Sequence, residues 1–221
     1  VVAGLTGIAV AGCRRRDLYT RRCARRLSAM MLTLVLVAIA LLGVSALGAL
    51  TGRTNRLTVG IGTVGCVAAC LLGLGASVAA LLEGHGGALR VAWSVPIGEL
   101  HVALDALSAF FLACVFLVSG LAAVYGAGYL TAQPTKRSLA PAVALFNLLV
   151  AAMATIVIAR DGVLFLMAWE VMSLSSLFLV TFEHEREEVR RAGLTYLIAS
   201  QLGVALLFIL FVFRPAVERG G

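Results

Sequence analysis

The sequence predicts an all-α polytopic membrane protein with six transmembrane helices. Hydrophobic residues make up 61% of the 221 residues and charged residues only 13%, against roughly 25% charged residues in a soluble globular domain. Five stretches without Asp, Glu, Lys or Arg, and a sixth whose only charged residue is Glu170, each reach the ~20 residues that a helix needs to cross a bilayer. These stretches are apolar all round, which excludes a soluble helical domain because such a domain needs a polar outer face.

Charged residues separate the predicted spans along the chain. The first span ends before Arg53, the second ends before Glu83, and the third begins next to Asp105. Short charged loops then separate the last three spans from one another. The predicted spans cover residues 31–50, 57–82, 104–130, 138–159, 162–182 and 192–213.

Residues 1–29 form a basic arm before this transmembrane bundle of residues 30–221. The arm holds seven of the eighteen basic residues and one acid, Asp17, so without it the formal charge of +7 falls by 6 to +1. The positive net charge of the chain therefore does not indicate nucleic-acid binding. One interpretation is a cytoplasmic anchor that binds anionic lipid. The other is that the arm is not part of the folded protein, because Met30 is the first methionine of a chain that starts with Val1.

The predicted orientation depends on that arm. With the arm left out, the loops after the first, third and fifth spans carry seven basic residues, and the opposite side carries four. The positive-inside rule then places the N-terminus outside and the loop 183–191 in the cytoplasm. Counting the arm reverses this orientation.

Neither the cysteines nor the histidines form a pattern that holds a metal or a cofactor. No two of the five cysteines have C-x-x-C spacing, and the three histidines fall in predicted loops without a second ligand nearby. Gly60 to Gly65 matches the dinucleotide pattern G-x-G-x-x-G, but the uncharged stretch 66–82 that follows cannot present a wet face in a doubly wound domain. We expect no cofactor and no metal.

Glu170 is the main candidate functional residue, because it lies near the middle of an otherwise uncharged span. An ionisable side chain at that depth is costly and usually functional. Ser173 and Thr181 lie within roughly 60° of it on a helical projection, which gives the span a narrow polar stripe. Two interpretations remain open: a group that holds water or a proton, and a tether in which Glu170 hydrogen-bonds Asn147 or Gln201.

Three segments carry a resemblance to a known superfamily. They read L-D-A-L-S-A-F-F at 104–111, V-Y-G-A-G-Y-L at 124–130 and A-W-E-V-M-S-L-S-S at 168–176. With them the chain resembles the antiporter-like subunits of complex I and the Mrp-type antiporters, and is most similar to hydrogenase-4 component B and formate hydrogenlyase subunit 3. By this fold-level analogy the chain is the N-terminal part of an antiporter-like fold of about fourteen helices.

The resemblance implies that Glu170 takes part in moving protons through a buried hydrated path, paired with a lysine on the family's seventh helix. This sequence has six predicted spans, so we expect a truncated or split product or a fragment. The implied partners are other membrane and soluble subunits of a hydrogenase or complex I-like assembly, which would hold the redox centres. The implied transported species are protons or sodium ions, and the implied location is the plasma (inner) membrane of a prokaryote.

Weaker candidates for lining the path are polar residues in or beside the spans: Asp105, Asn147, Ser173, Thr181 and Gln201. A solvated carboxylate at the mouth of the third span can also simply mark the interface. Two other functions remain open, a stand-alone cation/proton antiporter or other secondary transporter and a structural membrane scaffold. The four prolines lie in loops or at span ends, which argues against a transporter built on broken helices.

Overall fold

Six helices form the transmembrane part of the structure, a computed structural model that describes residues 27–83, 87–91, 100–132, 138–183 and 187–219. All six are long and apolar enough to cross a membrane, which confirms the six predicted helices. Residues 1–26 of the predicted basic arm lie outside the described residues, whereas residues 27–29 belong to the first helix. The helices are α1 (Leu27–Leu50), α2 (Asn55–Glu83), α3 (Ala106–Ala132), α4 (Ala140–Ile158), α5 (Gly162–Val180) and α6 (Glu187–Arg219).

The buried core lies between α1, α2, α3 and α4. In lipid the hydrophobic effect contributes little between helices, so close packing around small residues is a main source of stability. Gly73 of α2 shows this packing, because the ring of Phe116 on α3 occupies the space that a side chain at Gly73 would need. Fully buried side chains of this core include Val35, Leu42, Leu112, Phe116, Val150 and Ile158.

A short antiparallel hairpin connects α2 to α3, where the sequence analysis predicts a loop. Its strands are β1 (Gly87–Val91) and β2 (Leu100–Leu104), paired from Gly87 with Leu104 to Val91 with Leu100. Val102 and Leu104 are both buried, which is the alternation expected of a strand with one face on a core. His101 therefore lies in a strand rather than in a loop, and α3 begins two residues after the predicted start of the third span.

α5 and α6 form a helix pair at the edge of the bundle. We place them there because few of their residues are buried. In the most apolar part of each helix, the share of buried residues is 44% in α4, 17% in α5 and 0% in α6. A 3-10 turn (Thr181–Glu183) follows α5. α6 begins at Glu187, five residues before the predicted span, because charged side chains are solvated at the interface and acids are favourable in the first turn of a helix.

Candidate functional site

α5 and α6 pack against each other in antiparallel orientation. At one end the ring of Phe211 lies 5.9 Å from that of Phe165, and a Cβ on Gly162 would lie 3.2 Å from the Phe211 ring. At the other end Thr181 contacts Gly193 so closely that a side chain there would clash. The polar residues of the two helices meet between these apolar ends.

Glu170 lies close to the middle of α5, about 12 Å along the axis from Gly162. Its carboxyl group accepts a hydrogen bond from the side-chain amide of Gln201 on α6, with Nε2 and Oε2 3.3 Å apart. Glu170 is half-buried. Because an isolated charge at the bilayer centre costs about 3 kcal/mol or more on insertion scales, this amide and any water that reaches the carboxyl are its main sources of solvation.

Ser173 lies almost one turn further along α5 and shares a hydrogen bond with Ser200 of α6. Together Glu170, Ser173, Ser200 and Gln201 form what we call the α5–α6 polar cluster. Ser173 is buried and Gln201 is exposed, so the cluster extends from the helix contact towards the open side of α6. The structure thus joins three of the predicted residues, Glu170, Ser173 and Gln201, and adds Ser200.

Thr181 does not join this cluster, although it lies on the same side of a helical projection. It is eleven residues after Glu170, which is roughly 16 Å along a helix axis. Its hydroxyl group donates to the Leu177 carbonyl oxygen at 2.8 Å, a local bond that satisfies it within its own chain segment. A helical projection shows the angle of a residue about the helix axis but not its distance along that axis. Thr181 and Glu170 therefore share an angle without being close to each other.

Asn147 contacts α1 and α2 instead of Glu170. Its side-chain amide donates to the hydroxyl oxygen of Ser45 at 2.9 Å and to the carbonyl oxygen of Gly62 at 3.1 Å. Of the two tether partners that the sequence suggests for Glu170, the structure therefore selects Gln201. The Oδ1 atom of Asn147 is buried without a hydrogen-bond partner among the described residues, a state that costs about 1–3 kcal/mol when nothing satisfies it.

Asp161 fixes the start of α5 and hence the depth of Glu170. Its carboxylate accepts hydrogen bonds from the backbone N–H groups of Val163 at 3.0 Å and Leu164 at 3.1 Å. A carboxylate at this position satisfies donors that the first helical turn leaves free and interacts favourably with the helix dipole. Within the part of the chain that the structure describes, no three His, Cys, Asp or Glu side chains converge in a way that could hold a metal ion.

No family model matches the chain, but curated proteins do. An uncharacterized protein of Mycobacterium tuberculosis is 39% identical over 129 residues, which is 58% of this chain and 20% of that protein. Hydrogenase-4 component B of Escherichia coli is 29% identical over 132 residues, 58% of this chain and 19% of its own length. NADH-quinone oxidoreductase subunit L of M. tuberculosis is 29% identical over 157 residues, 66% of this chain and 24% of its own length. The chain thus spans about a fifth to a quarter of the length of these relatives.

Two solved structures share the fold. The Mrp complex of Dietzia sp. matches with a TM-score of 0.64 and 22% identity, covering 85% of this chain and 20% of the matched one. The archaeal membrane-bound sulfane sulfur reductase, a respiratory membrane complex, matches with a TM-score of 0.63 and 23% identity, covering 83% and 28%. The chain is homologous to hydrogenase-4 component B and to NADH-quinone oxidoreductase subunit L. The fold of the chain thus agrees with the resemblance that its motifs carry.

Asp105 lies at the hairpin end of the bundle, where its bonds form a clamp between several elements. Its carboxylate accepts from the backbone N–H of Ser108 at 2.7 Å, which caps α3, and from the Arg160 guanidinium at 2.6 Å. Arg160 also donates to the Ser108 hydroxyl at 2.9 Å, and its backbone N–H donates to the carbonyl of His101 at 2.9 Å. These bonds tie the hairpin, α3 and the α4–α5 connection together. This geometry accounts for Asp105 structurally, without a contact to the α5–α6 polar cluster.

We expect Asp105→Asn to make the unfolding of the protein less sensitive to acid. The pKa of Asp105 lies below its ordinary value of 3.8, mainly because of the Ser108 backbone N–H and to a smaller extent because of the Ser108 side chain and Arg160. A lowered folded-state pKa gives stability that is present above about pH 4 and is lost as the pH falls through the folded pKa. Because the pair is exposed, the contribution is small, about 0.5–1 kcal/mol.

The measurement is the unfolding midpoint in detergent by circular dichroism, at neutral pH and below pH 4. Wild type should lose stability on acidification by more than Asp105→Asn does. Glu187→Gln is the matched control, since it neutralises a carboxylate whose ion pair with Arg191 lies within a single helical turn of α6. If both variants follow the same pH profile, the clamp does not depend on the charge of Asp105.

Proposed function

We propose that this chain is a proton-translocating, antiporter-like membrane subunit of a hydrogenase-4, formate hydrogenlyase or NADH-quinone oxidoreductase type complex, with Glu170 as its proton-transfer residue. The observation that carries the proposal is the α5–α6 polar cluster, in which Glu170 lies at mid-span against the amide of Gln201. Homology to hydrogenase-4 component B and to NADH-quinone oxidoreductase subunit L supports the type of complex. The chain itself would hold no redox centre.

The chemistry of the cluster suits reversible proton transfer. A carboxyl group in a dry apolar site is favoured in its neutral form, and an approaching cation or water favours the carboxylate. Gln201 can donate to Glu170 in either state, because the carbonyl oxygen of a protonated carboxyl group and both oxygens of a carboxylate accept hydrogen bonds. The hydroxyl groups of Ser173 and Ser200 can each donate and accept a hydrogen bond. They can therefore relay a proton at a position almost one helical turn from Glu170.

The cation that controls Glu170 would come from a helix outside this chain. Within the most apolar eighteen-residue part of α6 no residue is buried, so the cluster lies beside a surface on which further helices can pack. The resemblance implies a lysine at this place. The partners would be further membrane helices and soluble redox subunits, in the plasma membrane of a prokaryote, with protons or sodium ions as the transported species.

The test compares inverted membrane vesicles from cells with the gene, without it, and with the gene restored. Acidification of the vesicle interior is followed with a fluorescent dye after addition of formate, hydrogen or NADH. We expect donor-driven acidification to fall at least twofold without the gene and to return with it. Equal acidification in all three preparations would contradict the proposal.

The same vesicles test a second candidate function, that of a stand-alone cation/proton antiporter. The similarity of the fold to the Mrp complex favours this candidate. A sodium gradient applied without any electron donor would then drive proton movement in vesicles that contain the chain. We expect no sodium-driven movement beyond that of vesicles lacking the gene. A clear sodium-driven signal would replace the first proposal with the antiporter.

A further inference from the structure

Polar side chains lie on only one side of Glu170 along the contact between α5 and α6. On α5, Ser173 follows Glu170 by three residues, and Thr181 directly follows the helix and contacts Gly193 of α6. Residues 162–169 lie on the other side of Glu170 and contain no hydroxyl, amide or carboxyl side chain. That length of helix spans about 12 Å. The α5 side of the contact is therefore apolar from Glu170 back to the start of the helix.

α6 shows the same division. Tyr196 and Ser200 are both half-buried and lie four residues apart, on one face of the helix. Gln201 is the last polar side chain before an apolar run, since residues 202–211 contain no polar or charged side chain. This run spans about 15 Å. Because the two helices are antiparallel, the apolar run of α6 packs on the apolar start of α5, where the rings of Phe165 and Phe211 meet.

Three aromatic rings pack together in this apolar half of the contact. The ring of Phe165 lies 5.6 Å from that of Trp169 on its own helix and 5.9 Å from that of Phe211 on α6. Aromatic rings attract one another at these separations. All three side chains are half-buried, and a Cβ on Gly162 would lie 3.2 Å from the Phe211 ring. We call Phe165, Trp169 and Phe211 the aromatic layer.

The indole N–H of Trp169 is the one polar side-chain group in the aromatic layer. It donates a hydrogen bond but accepts none. A proton relay needs groups that do both, as a hydroxyl group does, and the aromatic layer has no such group. Water does not replace them, because narrow apolar passages between helices lose their water. A proton or a sodium ion therefore meets a dry barrier between Glu170 and the start of α5.

We propose that the aromatic layer seals one end of the proton path. Glu170 then exchanges protons with the membrane surface where α5 ends and α6 begins, and not along these two helices with the opposite surface. This inference rests on the proposed function of Glu170 as the proton-transfer residue. From Glu170 the hydroxyl groups of Ser173 and Ser200 come first, and Tyr196 lies about one helical turn nearer that surface. All three hydroxyl groups can donate and accept.

The experiment measures passive proton leak in membrane vesicles that contain the protein with its natural subunits. A potassium diffusion potential drives protons inward without any electron donor, and a fluorescent pH dye reports the rate. Phe211→Ser removes one ring from the aromatic layer and adds a hydroxyl group, so we expect it to raise the leak at least about threefold over wild type. The leak should return to the wild-type rate when Glu170→Gln is added, because the leaking protons pass Glu170.

Three further variants make the leak specific. Phe208→Ser is the matched control, because Phe208 is 58% exposed on α6 and lies outside the aromatic layer, and it should leave the leak unchanged. Phe211→Leu keeps an apolar side chain at the contact and should leak less than Phe211→Ser does. Phe165→Ser opens the aromatic layer from α5, and it carries the test if Phe211→Ser does not assemble.

Another pair of variants tests the polar side of Glu170 in the leaking background. Ser200→Val replaces the hydroxyl group on the path by a methyl group, and it should lower the leak at least about twofold. Thr195→Val is the same kind of change on an exposed residue of α6 whose hydroxyl group donates to the carbonyl oxygen of Arg191. It should leave the leak as it is. A leak that Ser200→Val does not lower would overturn the proposed direction of the path.

Two results would overturn the seal itself. One is a wild-type leak in the assembled serine variants of Phe211 and Phe165, and the other is a leak that survives Glu170→Gln. These results are separate from those of donor-driven acidification. Acidification that depends on the gene, combined with no added leak, contradicts the seal alone. A leak that depends on Glu170, without donor-driven acidification, contradicts only the proposed coupling to a redox complex.

Discussion

Glu170→Gln is expected to reduce donor-driven proton translocation at least twofold, as removal of the gene does, while the protein still assembles. Glutamine has nearly the shape of glutamate and can still accept from Gln201, whose amide donates to Glu170 at 3.3 Å, so the α5–α6 packing should persist. It cannot gain or lose a proton between pH 4 and 10, which removes the step that transport requires. The measurement is acidification of inverted vesicles per electron pair delivered, with the amount of assembled complex read from native gels.

Two further variants make this result specific. Glu188→Gln is the same chemical change on an exposed first-turn residue of α6, and it should leave translocation at the wild-type level. Glu170→Asp keeps a titratable carboxyl on a shorter side chain, and it should restore part of the activity that Gln loses. Wild-type coupling in Glu170→Gln would show that Glu170 is only a tether to Gln201. Loss of assembly in Glu170→Gln, with no assembly defect in Glu188→Gln, would favour the scaffold function.

The spans were predictable from the sequence because length and the absence of charge are one-dimensional properties. The hairpin was missed because β2 is only five residues long and Asp105 alone separates it from the apolar start of α3, although Val102 and Leu104 show the strand alternation. The early start of α6 was missed for a different reason. A charge-free stretch measures the part of a helix within lipid, whereas α6 continues into the solvated region at Glu187.

The site was predictable only in part. Glu170 is recognisable in the sequence as a lone carboxyl group in an apolar span, but its partner depends on which helices touch. That is a tertiary property, and it selects Gln201 over Asn147. Ser200 gave no signal, because a serine within a span usually bonds its own backbone. The cap at Asp161 did have a signal, an acid directly before an apolar helix.

Gly73→Ala is expected to destabilise the bundle by about 1–3 kcal/mol, the usual cost of extra volume in a packed core. The added Cβ would overlap the ring of Phe116, which is 1% exposed and packed within the buried core. Gly75→Ala is a close control two residues further along α2. Its Cβ would meet nothing within 4 Å, so replacing glycine in a helix should there add about 0.5–1 kcal/mol of stability.

The measurement is the unfolding transition in mixed micelles as the fraction of denaturing detergent rises, followed by circular dichroism. The sign of the effect should differ between the two alanine variants, and this difference separates packing from helix propensity because both changes are Gly to Ala in one helix. Phe116→Leu, which removes ring volume opposite Gly73, should be less harmful in the Gly73→Ala background than in wild type. Equal stability of the two alanine variants would mean that the ring of Phe116 does not pack against Gly73, and that the α2–α3 contact holds by other residues.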